Sequence, residues 1–152
     1  MPAAATRNRA AVDAAELADR LRPILLKLGR HLRRETQKLG ISPLDAQLLA
    51  VIKARPGAGV SELADIEQMS RPAMSMHVKR LEAAGWLERG VEPGSDRRRT
   101  RILLSGAGRA ALEAVRRSRT DWLEARLAAL EPAELAVLAA ALPPLGLLVE
   151  KA

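Results

Sequence analysis

Residues 92–105 read EPGSDRRRTRILLS. Arg97, Arg98, Arg99 and Arg101 crowd around one acid, Asp96, between a Pro-Gly turn and the apolar run Ile102-Leu103-Leu104. Like charges this close repel one another unless an anionic partner lies opposite. The flanking residues sharpen that demand. Residues 69–101 hold eight Lys or Arg (71, 79, 80, 89, 97, 98, 99, 101) against four acids (82, 88, 92, 96), a net +4 out of the +7 carried by all 152 residues. More than half of the excess charge thus sits in about a fifth of the length. That is more than a solvated face requires, and an array of phosphates is the partner it fits.

Other chemistries find little support. The chain has no cysteine, which removes disulfides, thiolate nucleophiles, thiol redox sensing and cysteine-based zinc sites. Its two histidines, His31 and His77, have no carboxylate at a recognised ligand spacing, so no metal site is expected. There is no Gly-rich phosphate loop and no serine, histidine and acid set around a nucleophile elbow; the PGAG of residues 56–59 reads as a turn. Neither an enzyme nor a cofactor is expected. Phe and Tyr are absent and the only aromatics are Trp86 and Trp122, so the stacking platforms of single-strand or RNA binders are missing. Double-stranded DNA is the favoured nucleic acid. No apolar run is read as approaching the ~18 residues of a membrane helix. The N-terminal segment lacks the apolar stretch of a signal peptide, and Asp13, Glu16 and Asp19 argue against a transit peptide. The expectation is a cytoplasmic protein without a membrane partner.

The elements that must position the arginines follow from apolar period and punctuation. Residues 1–10 read as a flexible tail. From Ala11, Leu17, Leu21, Leu25, Leu28 and Leu32 recur at helical spacing, with Pro23 either kinking the helix or opening it after a short separate one, and Gly40 ending it. A second helix opens at Ser42 and Pro43, with Asp45 at the capping-box position, and buries Leu44, Leu48, Leu49 and Ile52. A short third helix is read as capped by Ser61. A fourth starts from Ser70 with Pro72 in its first turn and stops at Gly85. The period then switches to two short strands, WLERGV and TRILLS, joined by the arginine-rich loop. A long helix over 105–130 bears Leu112, Val115, Trp122, Leu123, Leu127 and Leu130, and a last one starts at Pro132 and is broken or bent by Pro143-Pro144. The fold class is therefore mostly α with a small β-hairpin wing: a winged helix-turn-helix flanked by N- and C-terminal helices.

In that arrangement the second helix of the pair enters the major groove by its N-terminal residues and the hairpin tip reaches the backbone or minor groove. The DNA-binding candidates are accordingly Ser70, Arg71, Ser75, Met76, His77 and Lys79 on the helix and Arg97, Arg98 and Arg99 on the wing. Arg71 suits either a guanine edge or a phosphate, and Ser70 and Ser75 are short phosphate donors. Ser70 is first a helix cap. His77 reads more readily as a half-buried helix residue, and Met69, Met74 and Met76 as packing residues.

At these residues the chain resembles the MarR (multiple antibiotic resistance regulator) family of winged-helix transcription factors. The wing carries the pattern Asp-x-Arg, five residues, Leu-Thr/Ser as Asp96, Arg98 and Leu104-Ser105. The helix SRPAMSMHVKRLEAAGWLER is similar to the family's run of a small cap, a central Val, Arg-Leu-Glu and a Gly before a strand. The resemblance spans residues 13–150. It implies one unit over 11–150, with 41–104 as the DNA-binding part and 11–40 plus 105–150 as dimerisation helices. It implies a homodimeric repressor on a palindromic operator, with Asp96 orienting a wing arginine and Arg98 in the minor groove. It also implies release by a small, often anionic, aromatic effector, for which His31, Arg34 and Trp122 are the ligand-binding candidates, Trp122 reading first as a core or dimer-interface residue. Two places depart from the pattern: Glu131 stands where a Ser or Thr cap is usual, and Gly106 and Gly108 weaken the start of the long helix. The alternative is a winged-helix module for architectural DNA binding or protein interaction without sequence preference.

Overall fold

The computed structural model of the chain describes residues 13–90 and 101–150. Among these, the order is α1 (Ala14–Lys38), α2 (Pro43–Ala54), α3 (Val60–Ile66), α4 (Arg71–Ala83), β1 (Leu87–Gly90), β2 (Arg101–Leu104), α5 (Gly106–Leu127) and α6 (Pro132–Glu150). The expected tail, 1–10, and the wing tip lie outside the described residues.

Helix starts follow local chemistry. The Asp13 carboxylate accepts from the Ala15 amide at the head of α1, and the Ser42 and Ser70 hydroxyl oxygens accept from Asp45 and Ala73 at the heads of α2 and α4. Each satisfies an amide that the helix itself leaves unpaired. Ser61 is not the cap of α3, contrary to expectation. That role falls to Gly59, and Ser61 lies within the helix. The reason is the preceding backbone. Gly57 donates to the Ile102 carbonyl at 3.0 Å and Ile102 donates to the Ala58 carbonyl at 3.4 Å, so the chain is tied to β2 until just before Gly59.

α4 ends as its Gly85 predicts. Gly85 has φ +76°, its amide donates to Glu82, and the Trp86 amide donates to Leu81. This double closure satisfies the last carbonyls and turns the chain into β1. β1 and β2 pair antiparallel, with Leu87 opposite Leu104 and Arg89 opposite Ile102. One core fills the space between: Leu48, Leu49 and Ile52 of α2, Leu63 of α3, Met74, Val78 and Leu81 of α4, and Leu87, Ile102 and Leu104 of the hairpin. A smaller cluster of Ile41, Ala46 and Val115 joins this unit to α5.

The prolines are tolerated. Pro23 lies inside one continuous α1, and Pro143-Pro144 neither break α6 nor end it before Glu150. Each proline removes a helix hydrogen bond. In α6 the Ala- and Leu-rich turns on both sides supply strong helix propensity against that loss. Glu134 helps at the other end, accepting from the Glu131 amide at 3.0 Å, so Glu131 needs no hydroxyl to start the helix.

Gly108 has a different role from the weakening expected of it. Ser105 caps α5 by accepting from the Gly108 amide, donates its hydroxyl to the Gly85 carbonyl, and gives its own amide to the Trp86 carbonyl. This draws the Trp86 backbone so close that a Cβ on Gly108 would stand 2.0 Å from the Trp86 oxygen. Gly106, with open space around it, carries no such demand.

α6 has no buried residue, and Leu138, Leu142, Leu147 and Leu148 are exposed along it. Leu17, Ile24, Leu25 and Leu26 of α1 are exposed as well. One expectation is corrected here. Pro132–Glu150 has 19 residues, and an 18-residue stretch of it has a mean hydropathy of 1.8, which by length and composition is enough to cross a membrane. The two prolines that interrupt the apolar run in sequence do not interrupt the helix.

Candidate nucleic-acid interface

α4 buries Met74, Val78 and Leu81 and so turns its opposite face outward. Pro72, Met76, Lys79 and Ala83 occupy that face, and Met76 is exposed by 63%. Met76 is thus not the packing residue expected, whereas Met74 is fully buried and Met69 partly so. Arg71 is exposed in the first turn, and Ser75 half-buried one turn on. Ser70 precedes them with its oxygen occupied by the Ala73 amide, which leaves its hydroxyl hydrogen for an outside acceptor. His77 turns sideways: its Nδ1 lies 3.3 Å from Arg80 Nη2.

Among the described residues of this segment, Arg80 and Arg89 are each paired with an acid of the chain. Arg80 gives Nη1 to Asp45 Oδ2 at 2.9 Å and Nη2 to Asp45 Oδ1. Arg89 gives Nε and Nη2 to the two carboxylate oxygens of Glu82, at 2.5 and 3.1 Å. The Arg80 guanidinium, helped by the Ser42 hydroxyl, holds the 4%-exposed Asp45 carboxyl below the usual carboxylate range despite its burial, and the guanidinium is itself pushed up. Arg71 and Lys79 have no ion-pair partner among the described residues. They are the cations α4 offers to an external anion. The Arg101 side chain lies over Gly57 in the α2–α3 turn. Asp96, Arg97, Arg98 and Arg99 fall outside the described residues.

Neither internal pair is legible in the sequence. Asp45 reads there as half of a capping box, and thirty-five positions separate it from Arg80. Glu82 and Arg89 stand seven apart, across the Gly85 turn and on different element types, where no helical or strand spacing links them.

Of the effector candidates, the structure brings two together. The His31 and Trp122 rings stack with centroids 5.1 Å apart, and the Arg126 guanidinium covers Trp122 at 3.7 Å. Arg34 is exposed. Nearby, Arg119 donates Nε and Nη2 to the buried Thr36 hydroxyl at 3.0 and 2.8 Å, fastening α5 to α1. Lys38 and Ser118 both reach Glu35, and Lys38 chiefly lowers its carboxyl. A cavity of about 390 Å³ opens between α2 and α5, lined by Leu112, Val115, Lys53, Arg119 and the Glu113–Arg116 ion pair.

Helix, turn, outward helix and two-stranded wing define a winged helix-turn-helix protein. The chain belongs to the MarR family of transcriptional regulators, DNA-binding proteins whose family model matches residues 39–99. It is 35% identical to a Pseudomonas aeruginosa protein assigned as a transcriptional regulator, over 89% of this chain and 94% of that one, with a TM-score of 0.75. An HTH-type transcriptional regulator of Mycobacterium tuberculosis is 28% identical over 127 residues, 84% of this chain and 88% of that protein. A point mutant of Staphylococcus aureus MepR, solved bound to an oligodeoxyribonucleotide, shares the fold at 21% identity, 85% and 94% coverage and a TM-score of 0.70.

Proposed function

We propose that this regulator is a homodimeric repressor that binds a palindromic DNA operator and is released by a small, anionic aromatic ligand. The observation that carries the reading is the outward face of α4. Arg71 and Lys79 stand exposed without ion-pair partners among the described residues, while another cation of the same helix, Arg80, is tied to Asp45. A helix so disposed presents Ser70, Arg71, Ser75, Met76 and Lys79 to a major groove, with His77 at its flank. On this reading the wing arginines Arg97, Arg98 and Arg99 reach the neighbouring phosphates or minor groove, with Asp96 orienting one of them. The oligonucleotide bound by the fold relative MepR is in keeping with this docking.

Dimerisation is supported by the exposed leucines of α1 and α6. Large exposed apolar faces of this kind mark interaction surfaces. A twofold axis through those helices would place two α4 helices on half-sites one helical turn apart. The effector reading is supported by two features. His31, Trp122 and Arg126 form an aromatic, cationic cluster, and the α2–α5 cavity sets Lys53 and Arg119 beside the apolar Leu112 and Val115, with Arg116 paired to Glu113. Arg34 is the further candidate nearby.

The experiment is selection of bound sequences from a random duplex library at near-physiological salt. Recovery of a palindrome supports the reading. Binding without a motif would replace it with an architectural module.

A further inference from the structure

We propose that Met76 determines operator specificity by reading the C5-methyl group of a thymine in each half-site. The inference rests on the docking of α4 in the major groove and adds to it the base that the helix selects. Met76 is the largest apolar side chain on the outward face and is 63% exposed, flanked along the helix by Pro72, Lys79 and Ala83. A flexible thioether this exposed contributes nothing to the core, which Met74, Val78 and Leu81 already fill on the opposite side.

The polar side chains of α4 do not select a thymine, and Pro72 and Ala83, the other apolar side chains of this face, are shorter than Met76. The helix carries no Asn or Gln, the side chains that read adenine through paired hydrogen bonds. Its one acid, Glu82, which would accept from cytosine, is held by both arms of Arg89. Arg80 is held by Asp45, with His77 turned toward it. Arg71 and Lys79 are left, and both suit guanine or phosphate, while Ser75 suits any base. A thymine is distinguished from the other bases in the major groove by its methyl group, and an apolar side chain is the partner that group accepts. Met76 is the residue placed to provide it, and its long unbranched side chain adapts to the methyl without a fixed hydrogen-bond geometry.

The test uses a duplex recovered by selection and replaces its thymines by deoxyuridine, one position at a time in both half-sites. Pairing and phosphates are unchanged and only the methyl is removed. Burial of one methyl per half-site corresponds to about a fourfold loss of affinity at the critical position, and on the order of tenfold with both half-sites substituted. Other thymines should be indifferent. The Met76→Ala variant should melt like the parent, bind the thymine duplex more weakly, and no longer distinguish it from the deoxyuridine duplex. Met76→Leu should restore the distinction. Equal binding of thymine and deoxyuridine duplexes at every position would overturn the inference, as would a methyl effect of the same size in Met76→Ala. Either result leaves the DNA-binding reading standing, whereas failure of the parent protein to bind any duplex would remove both.

Discussion

Asp45, at the head of α2, holds Arg80, in the last turn of α4, through both arms of its guanidinium. The two helices are thereby fixed to each other at a point outside the hydrophobic core. The pairing leaves the Ser42 cap intact, because Ser42 uses the Asp45 amide while Arg80 uses the Asp45 carboxylate. Asp45 thus takes part in closing the start of α2 and sets the roll of α4, the helix proposed to face the groove. That roll decides whether Lys79 and Met76 or the neighbouring side chains point outward.

Removing the carboxylate should therefore loosen α4 before it unfolds the protein. Asp45→Ala is expected to cost about 1–3 kcal/mol, the range for a hydrogen bond to a charged partner left unmade. Half of the Arg80 side chain is already in water, which keeps the figure below that of a fully buried pair. The measurement is chemical denaturation beside DNA binding. Operator affinity should fall by more than the lost folded fraction explains. A purely structural tie would change stability alone.

The same pair makes stability depend on pH in one direction. The Asp45 carboxyl is depressed in the folded chain, chiefly by Arg80. Its contribution is fully present above the unfolded carboxyl's pKa of ~3.9 and is lost as pH falls through the lower folded value. Thermal melts of the parent and Asp45→Asn should differ most at neutral pH and converge in acid. A gap that widens on acidification would show that the pair does not stabilise the fold.

The fold is legible where its signals are local. The Ser42 and Ser70 caps, the Gly85 stop and the change from helical to alternating period all act within a few residues and compete with nothing stronger. Structure departs from expectation where distant backbone intervenes. Ser61 has the right chemistry for a cap, but the pairing of residues 57 and 58 with β2 moves the helix start to Gly59. Pro143-Pro144 has the chemistry of a break, yet α6 continues through it. For the candidate site, the exposed cations Arg71 and Lys79 of α4 are legible in the sequence. Arg80 and Arg89 count there among the cations available to DNA, because an internal acid that neutralises a cation leaves no trace in spacing. Met76 reads as packing because periodicity places a methionine on a helix without telling which face is covered.

Gly108 is the clearest case of tertiary structure overriding propensity. Alanine normally stabilises a helix over glycine by about 0.5–1 kcal/mol, and Gly106→Ala, in open space, is expected to gain part of that. Gly108→Ala should instead destabilise by about 1–3 kcal/mol or more, the cost of forcing atoms into a closed contact, since the opposing atom is backbone and cannot rotate away. Thermal denaturation of the two variants side by side should give opposite signs. The same sign in both would mean that the Trp86 carbonyl is free to move.

The exposed face of α6 yields a prediction about assembly. Leu138 and Leu142 stand one turn apart, 45% and 66% exposed. Replacing both with Glu removes four leucines from a twofold interface, on the order of 6 kcal/mol, which raises the dissociation constant by about 10⁴. Sedimentation should then give the mass of one chain, with helical circular dichroism retained because neither leucine belongs to the core. An unchanged dimer would move the interface elsewhere.

The wing can be tested apart from the helix. Arg98→Ala should leave the dimer intact and lower operator affinity by at least about tenfold, and the slope of log affinity against log salt should fall by about one for each protomer's lost phosphate contact. Two placements of the side chain can also be separated. An arginine held on the backbone loses affinity uniformly across sequences. One inserted into a minor groove loses it most where the groove is narrow, because there the potential that attracts it is most negative. Comparing the variant on operators whose half-site flanks are A·T-rich or G·C-rich distinguishes the two. A loss confined to A·T-rich flanks assigns Arg98 to the minor groove, and an equal loss on both assigns it to the phosphates. Unaltered binding on both would show that Arg98 does not touch DNA, and the groove-facing residues of α4 would have to carry recognition without it.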